Sequence, residues 1–342
     1  MCGIIGYVGK KPAKDILIDG LAKLEYRGYD SAGIALLNDD DTLTIKKKAG
    51  RVEDLREMCS DDSPVYRSTC GIGHTRWATH GGVTDVNAHP HKCGDVALIH
   101  NGIIENYQEL RDKLTRNGYS FYSSTDTEVA VKLIDYYYKK YEHTPVDAIN
   151  HAMVRIRGSY AFAIMFKEYP EEIYVARKDS PMILGVNDGD CYVASDVPAI
   201  LNYTRNVYYI GNMEIGRLAD GHITFYNLDG DEIEKELVEI KWDAKAAEKG
   251  GYEHFMLKEI HEQPTAVKTT ITPRIQEHMP DFTAEGFDKD KLKSYNNIYI
   301  VACGTAMHAG MVGKYVIEKL VRVPVNVDIA SEFRYRYPLI GE

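Results

Sequence analysis

A cysteine stands directly after the initiator methionine, and removal of Met1 would make Cys2 the N-terminal residue. Cys2 would then carry both a thiol and a free α-amine. An unperturbed thiol titrates near ~8.5 and an α-amine near ~8, so both lie within reach of their reactive forms at neutral pH. An N-terminal nucleophile can use its own amine as general base through a bridging water, without a histidine. The alternative is an early residue of an edge strand, since the apolar run 4–8 that follows is typical of a buried strand.

A pair of hydrogen-bond donors follows the strand-like segment 95–100. If Cys2 attacks a carbonyl carbon, the developing oxyanion needs such donors, and the side-chain amide of Asn101 and the backbone N–H of Gly102 are candidates. Asn-Gly is also the commonest hairpin dipeptide, so a plain turn is the alternative.

Three charged residues are candidates for holding a substrate. Arg76 could bind a carboxylate through two parallel hydrogen bonds, and Asp126 could bind an ammonium group at the start of a helix. A surface arginine and an aspartate that complements a helix dipole are the alternatives. Arg27 lies in a glycine-flanked turn and could equally hold that turn in shape.

Histidines are dense between positions 74 and 100, which invites comparison with metal sites; the set is His74, His80, His89, His91 and His100, together with Cys93. Their intervals fit no zinc-finger or HExxH pattern, and no predicted helix sets two of them at i and i+4. The sequence therefore favours histidines that shape a polar pocket over histidines that bind a metal ion.

The overall composition excludes several function classes. The 342 residues carry a net charge of −10, which argues against nonspecific binding to nucleic acid or to an anionic membrane. No apolar run reaches the roughly 18 residues of a membrane span, and no signal peptide precedes Cys2. The six cysteines form no CxxC pair. A cytoplasmic protein with reduced thiols is expected.

The order of predicted elements indicates an α+β protein. Helices are predicted over residues 12–26, 52–58, 106–117, 125–141 and 146–156, with strands before and after them, so two antiparallel sheets with helices outside satisfy the pattern. Thr125 and Glu128 have the spacing of a capping box, and Gly118 is a C-terminal stop. Residues 240–293 are predicted to be a linker with helices around 241–258, broken by Pro264, Pro273 and Pro280.

A strand–helix–strand pattern follows residue 294, with strands at 298–302 and 325–329 around a helix at 307–320. One such unit predicts the start of a parallel sheet, which would be a second domain cut short. Gly304 and Thr305 precede the helix and could form a nest of backbone N–H groups for a phosphate. A generic strand–helix connection is the alternative.

Six segments of the chain, taken together and in order, resemble the class II glutamine amidotransferases. The segments are CGI at 2–4, RGYDSAG at 27–33, HTRWATHG at 74–81, NAHP at 87–90, HNGIIEN at 100–106 and TDTE at 125–128. The later segments ACGT at 302–305 and ASEFR at 330–334 resemble the sugar isomerase (SIS) domain of the glutamine–fructose-6-phosphate aminotransferase family, also called glucosamine-6-phosphate synthases.

The resemblance implies an N-terminal-nucleophile αββα four-layer sandwich at 2–220, terminal strands and a helical linker at 221–293, and the truncated start of an α/β SIS domain at 294–342. It implies that Cys2 attacks the side-chain amide of L-glutamine, with Asn101 and Gly102 as oxyanion hole. The implied glutamine-binding residues are Arg76 for the α-carboxylate, Asp126 for the α-ammonium, and Arg27, Trp77, Thr79, His80 and His89.

The resemblance further implies transaminase (isomerizing) chemistry, in which ammonia passes a gate at Trp77 and converts fructose 6-phosphate into glucosamine 6-phosphate, an amino-sugar precursor. The full-length enzyme would be a homodimer. Ala306 stands where the family usually has a serine that contacts the sugar phosphate. The family's Ser-Gln-Ser phosphate loop, isomerase residues and C-terminal tail would lie beyond Glu342, so this chain is expected to hydrolyse glutamine only.

Two alternatives remain open from the sequence. One is another class II enzyme, such as an amidophosphoribosyltransferase or asparagine synthase, although the segment after residue 294 carries neither signature. The other is a non-catalytic sugar-phosphate-sensing protein on an inactive glutaminase domain. The presence of Cys2, Arg76, Asn101 and Asp126 argues against the second.

Overall fold

The computed structural model describes residues 2–38, 42–142, 144–241 and 250–340. The chain divides into two compact units, residues 1–248 and 249–342. Met1 and residues 242–249, which are part of the predicted helical segment 241–258 of the linker, lie outside the described residues.

The first unit contains two antiparallel sheets. Its strands are β1 Gly3–Val8, β2 Ser31–Leu37, β3 Leu43–Ala49, β4 Cys70–Arg76, β5 His91–Cys93, β6 Val96–Ile104, β7 Gly158–Phe166, β8 Ile173–Lys178, β9 Ile183–Asn187, β10 Asp190–Ala194, β11 Asn206–Tyr209, β12 Glu214–Ala219, β13 His222–Tyr226, β14 Glu232–Ile233 and β15 Val238–Glu239. One sheet has the order β15-β11-β9-β10-β1-β4-β2-β3, and the other has the order β14-β13-β12-β8-β7-β6-β5.

The helices of this unit are α1 Ala13–Leu24, α2 Val52–Met58, α3 Tyr107–Arg116, α4 Asp126–Lys140 and α5 Pro145–Arg155. Helices α1 and α2 pack on the outer face of the eight-stranded sheet, while α3, α4 and α5 pack on the outer face of the seven-stranded sheet. The predicted αββα sandwich is therefore confirmed.

Strand β1 shows why its sequence is apolar at every position. Ile4 and Val8 lie in the core between the two sheets, whereas Ile5 and Tyr7 lie in the core beneath α1. Successive side chains of a strand point to opposite faces, so a strand covered on both faces has no polar side. The same holds for β4, whose seven residues are all buried.

Strand β6 continues through Asn101 and Gly102 to Ile104, and its partner β7 accompanies it over the whole length. The alternative of an Asn-Gly hairpin turn is therefore wrong. Gly102 has φ +134°, and a Cβ there would lie 2.1 Å from the carbonyl oxygen of Ser159. Only glycine combines this conformation with so close an approach of β7.

Half of the predicted capping box forms at the start of α4. The side chain of Thr125 accepts a hydrogen bond from the backbone N–H of Glu128. The Glu128 carboxylate accepts from the N–H groups of Tyr122 and Ser123 instead of that of Thr125, and it pairs with Lys132 at 2.6 Å. The loop before the helix is thereby fixed to its first turn.

The first unit extends past the predicted boundary at residue 220. Strands β13 and β14 continue the seven-stranded sheet, and β15 pairs with β11 at the edge of the other sheet. The last strands before residue 240 are thus part of the sandwich.

The second unit contains helices α6 Phe255–Ile271, α7 Lys289–Ser294, α8 Gly304–Val321 and α9 Ala330–Tyr335, a two-stranded hairpin of β16 Ile275–Gln276 and β17 Met279–Pro280, and strands β18 Ile298–Ala302 and β19 Val325–Ile329. β18 and β19 are parallel, which confirms the predicted β-α-β unit. Pro264 lies inside α6 instead of breaking it, so the helix continues without the amide hydrogen bond that proline cannot donate.

Candidate active site

Cys2 lies immediately before β1 and is held at both its side chain and its backbone. Its Sγ is 3.2 Å from the backbone nitrogen of Trp77, which donates to it, and 3.5 Å from the Trp77 carbonyl oxygen. The carbonyl oxygen of Cys2 accepts from Nε of Arg27 at 3.2 Å and from Nδ2 of Asn101 at 3.1 Å. The thiol therefore has a fixed position.

The two sheets contribute different parts of this arrangement. β1 pairs with β4, with Gly3 opposite Thr75, so the end of β4 carries Arg76 and Trp77 to the side of Cys2. Asn101 and Gly102 come from β6 of the other sheet. The site is thus at one end of the sandwich, where both sheets meet.

A small cavity collects most of the residues that the sequence predicted; it is lined by Cys2, Arg76, Trp77, Thr79, His80, His89, His100, Gly102, Thr125, Asp126 and Thr127. It encloses about 20 Å³, which is room for about one water molecule. An amino acid is larger than this space.

Arg76 is hydrogen-bonded to the backbone of the loop at residues 80–82. Its guanidinium donates to the carbonyl oxygens of Gly82 at 3.1 Å and Gly81 at 3.2 Å, and to that of His80. A guanidinium carries five N–H donors, so Arg76 can make these bonds and still have an N–H group for a carboxylate. Arg76 can thus couple ligand binding to the position of residues 80–82.

Asp126 is buried at the first turn of α4. Its Oδ2 accepts from the backbone N–H of Ile104 at 2.9 Å and lies 4.0 Å from Nδ1 of His100. The carboxylate therefore faces the cavity from the side of the second sheet, while Arg76 faces it from the first.

Asn101 and Arg27 do not line the cavity. Asn101 contacts the backbone of Cys2, as described above. Arg27 does the same, and its guanidinium pairs with Asp196 at 2.9 Å. The structure therefore places Arg27 behind the nucleophile, where it supports Cys2 instead of facing the cavity.

Burial raises the pKa of the Cys2 thiol. The hydrogen bond from the backbone of Trp77 and the charge of Arg76 act in the opposite direction, whereas Asp126 adds to the rise. The resting thiol therefore keeps its proton at neutral pH and needs a base to become a nucleophile.

The histidines pack together in the interior. The rings of His74 and His89 lie 4.1 Å apart, those of His89 and His91 lie 5.1 Å apart, and burial lowers the pKa of all three and of His100. They are neutral at physiological pH. Within the described ranges, no group of three His, Cys, Asp or Glu side chains is arranged to hold a metal ion. All six cysteines, which lie in the described part of the chain, are free thiols.

Sequence reasoning missed several residues of the site. Thr125 was interpreted only as a helix cap, and Thr127 was not singled out, yet both line the cavity. Lys47 donates to three carbonyl oxygens of the loop that carries His89. Asp196, 169 positions from Arg27, carries no motif that could reveal its role.

The predicted phosphate turn lies in the second unit. α8 begins at Gly304, which has φ +58°, and Thr305 and Ala306 follow in its first turn. The first N–H groups of a helix have no partner within it, so the geometry is compatible with an anion. Phosphate binding by Gly304 and Thr305 stays a prediction.

Known proteins resemble both parts of the chain. A glutamine amidotransferase domain model matches residues 83–202, and a SIS domain model matches residues 291–342. A glutamine–fructose-6-phosphate aminotransferase (isomerizing) of Clostridium acetobutylicum is 53% identical over 99% of this chain and 55% of its own length. The same enzyme of Caldanaerobacter subterraneus is 51% identical over 100% of this chain and 56% of its own length. The chain belongs to the class II glutamine amidotransferases.

Solved structures agree with this amidotransferase fold. The allosteric regulatory enzyme of purine biosynthesis matches with a TM-score of 0.56 and 28% identity over 66% of this chain and 49% of that one. The glutamine phosphoribosylpyrophosphate amidotransferase of B. subtilis matches with a TM-score of 0.58 over 95% of this chain and 65% of that one, at 21% identity, which shows the fold alone.

The amidotransferase chain spans about half the length of the curated relatives it matches. The match of residues 291–342 to a SIS domain separates it from the phosphoribosyltransferase and asparagine synthase alternatives. In the described part of the chain, no helix has both the length and the apolar character needed to cross a bilayer.

Proposed function

We propose that Cys2 of this chain hydrolyses L-glutamine to glutamate and ammonia. After removal of Met1, the free α-amine of Cys2 takes the thiol proton through a water molecule. The thiolate then attacks the side-chain amide carbon, and the proton passes to the departing nitrogen, which leaves as ammonia. Water cleaves the resulting thioester and releases glutamate.

The observation that carries this proposal is the common cavity of Cys2, Arg76 and Asp126. The α-amino acid end of glutamine is a zwitterion, so it needs one cation and one anion beside the nucleophile. The chain brings an arginine and an aspartate, fifty positions apart in sequence, to opposite sides of one thiol. Trp77, Thr79, His80 and His89 complete the wall of the cavity.

The raised pKa of the Cys2 thiol means that the thiol needs a base. Three histidines line the cavity and could be considered as that base, namely His80, His89 and His100, but His89 and His100 are buried and neutral. No hydrogen bond joins Sγ to a histidine among the described residues; its partners are the backbone atoms of Trp77. An α-amine on Cys2 itself is adjacent to the thiol by covalent structure.

The oxyanion hole is supplied by Gly102 and Asn101 in this proposal. Gly102 lines the cavity, and its φ of +134° sets the direction of its N–H. Nδ2 of Asn101 carries two hydrogens, one of which binds the Cys2 carbonyl, so the second can bind the oxyanion.

For the longer protein, we propose that the ammonia passes Trp77 and aminates fructose 6-phosphate to give glucosamine 6-phosphate, without a metal or organic cofactor. The SIS match and the curated relatives support this acceptor. The sugar phosphate would bind at Gly304 and Thr305, with Ala306 unable to donate a hydroxyl. A cytoplasmic homodimer is part of the same proposal.

The test combines glutamate release with intact mass. The wild-type chain, shown to lack Met1, is expected to release glutamate from glutamine and to take up one equivalent of a diazoketone analogue of glutamine at Cys2. Cys2→Ser should lose both, whereas Cys93→Ser should retain both because that thiol lies outside the cavity. A folded, methionine-free chain that releases no glutamate would leave only the sugar-phosphate-sensing alternative. Formation of glucosamine 6-phosphate by this chain alone would contradict the expectation that it is a glutaminase only.

A further inference from the structure

We propose that His74 is a positioning residue that orients the side-chain amide of Asn101 toward Cys2. The inference rests on the proposed glutaminase function. It gives a role to His74, which is not the nucleophile, an oxyanion-hole donor or a substrate-binding residue in that proposal.

The hydrogen-bond pattern determines which ring nitrogen of His74 carries the hydrogen. Its Nε2 lies 2.9 Å from the carbonyl oxygen of His100 and 3.0 Å from Oδ1 of Asn101. A backbone carbonyl can only accept, so Nε2 must carry the hydrogen that it shares between the two oxygens.

The same logic fixes the amide of Asn101. An N–H on His74 demands an acceptor, so Oδ1 must face His74 and Nδ2 must face the other way. Nδ2 then donates to the Cys2 carbonyl oxygen at 3.1 Å. The reversed amide would set an N–H of Asn101 against the N–H of His74 and would leave two carbonyl-type oxygens facing each other at Cys2. One imidazole thereby specifies which end of Asn101 meets the nucleophile.

The surroundings keep His74 in this form. The side chain is fully buried, and burial lowers its pKa to about 3, so it is neutral at physiological pH. Its Nδ1 has no hydrogen-bond partner among the described residues, so a second proton there would be unsatisfied. The ring of His89, 4.1 Å away, packs on it. A neutral imidazole with hydrogen on Nε2 is the species that fits.

His74 is also held rigidly. It lies in β4, between β1 and β2, opposite Ile4 in one strand and Gly33 in the other. Asn101 lies in β6 of the second sheet. The hydrogen bond between them therefore crosses from one sheet to the other at the level of the nucleophile, and it ties the oxyanion donor to the strand that carries Arg76.

The experiment compares two substitutions of His74 in the whole chain. Gln can place an N–H near the position of Nε2, whereas Met fills similar space without a donor. His74→Met is expected to lower kcat for glutamate release about 10–100-fold, less than the ~10²–10³-fold of deleting an oxyanion donor, because the amide is misoriented and not lost. KM for glutamine should change less than twofold. His74→Gln should recover most of kcat.

A double-mutant comparison separates positioning from a general packing role. If His74 acts through Asn101, His74→Met should have no further effect on kcat in an Asn101→Ala background. Alkylation of Cys2 by iodoacetamide needs no oxyanion hole, so its rate should be the same in wild type, His74→Met and His74→Gln, and urea unfolding checks that every variant has folded.

Several outcomes would overturn the inference. These are equal losses from His74→Met in both backgrounds, a His74→Gln variant that alkylates normally yet is as slow as His74→Met, or a change confined to KM. A wild-type chain without Met1 that alkylates at Cys2 but releases no glutamate would instead remove the proposed function. The two failures are therefore distinguishable.

Discussion

The Asp196 carboxylate pairs with the Arg27 guanidinium at 2.9 Å, although 169 positions separate the two residues. Nε of Arg27 donates in turn to the carbonyl oxygen of Cys2. Asp196 lies just after β10, which pairs with β1, so the fold brings it beside the start of the chain. An ion pair thus supports the residue that we propose to carry both nucleophile and base.

Asp196→Asn is expected to lower kcat for glutamate release about tenfold and the free energy of unfolding by about 1–2 kcal/mol. The partly buried Arg27 would keep a hydrogen bond but lose its counter-charge. Tyr26→Phe is the matched control, because Tyr26 donates to the same Asp196 oxygen but carries no charge. Steady-state kinetics and urea unfolding measure both effects. Equal kinetics in the two variants would show that the ion pair does not position Cys2.

Lys47 fixes the loop that carries His89. Its Nζ donates to the carbonyl oxygens of Val86 at 3.1 Å, Ala88 at 2.6 Å and Pro90 at 3.1 Å, on both sides of His89. Lys47→Met should raise KM for glutamine about 5–10-fold and cost about 1–3 kcal/mol of stability, because three carbonyls lose a charged donor.

Lys46→Met is the control for that change. Lys46 precedes Lys47 on β3, and neighbouring side chains of a strand point to opposite faces. Its charge acts on Cys59 under α2, away from the cavity. Its removal should leave KM unchanged, and a similar KM effect in both variants would refute the role given to Lys47.

Gly102→Ala should reduce kcat by ~10²-fold or more, because the backbone must move away from Ser159 and take the proposed oxyanion N–H with it. Gly118→Ala is the control. Gly118 also has positive φ, +87°, but no atom lies within 4 Å of its Cβ position. It should cost about 1 kcal/mol of stability and no activity. Turnover in Gly102→Ala above a tenth of wild type would contradict the oxyanion assignment.

The buried histidines predict a loss of stability in mild acid. Burial lowers the pKa of His74, His89, His91 and His100 in the folded chain, whereas an unfolded histidine titrates near ~6.5. Below that pH the unfolded chain binds more protons than the folded one, so the free energy of unfolding falls as pH decreases. Each histidine contributes at most ~1.4 kcal/mol per pH unit.

Urea unfolding at pH 7.5, 6.0 and 5.0 measures this dependence. The decline should begin near pH 6.5, above the range where carboxylates titrate, and should continue to pH 5. Replacement of the exposed His222 by Gln should leave the slope unchanged. A free energy of unfolding that is constant between pH 7.5 and 5.0 would contradict the neutral, buried state of the four histidines.

The sequence alone determined most of the elements and the core of the first unit. The spacing of Ile16, Leu17, Leu21 and Leu24 predicted α1, and all four side chains are buried beneath the eight-stranded sheet. The β-α-β unit around α8 was predicted from the strand–helix–strand pattern that follows residue 294. These features are local, because each depends on side chains only a few positions apart.

The sequence identified the residues of the candidate site but not how they are arranged. Cys2, Arg76, Gly102 and Asp126 were predicted from chemistry and from the resemblance, and they do line one cavity. The sequence could not decide whether Asn101-Gly102 was a turn, because Asn-Gly serves both purposes locally. Pairing with β7 decided it, and that pairing joins positions some sixty residues apart.

Only the tertiary structure showed what supports these residues. Asp196 beside Arg27, Lys47 beneath the His89 loop and His74 against Asn101 are contacts between strands and loops distant in sequence. Residue type does not predict such contacts, because an aspartate, a lysine or a histidine has the same local preferences whether or not it meets a partner. Their roles arise from the registers of the two sheets, which bring strand ends from both to the N-terminal cysteine.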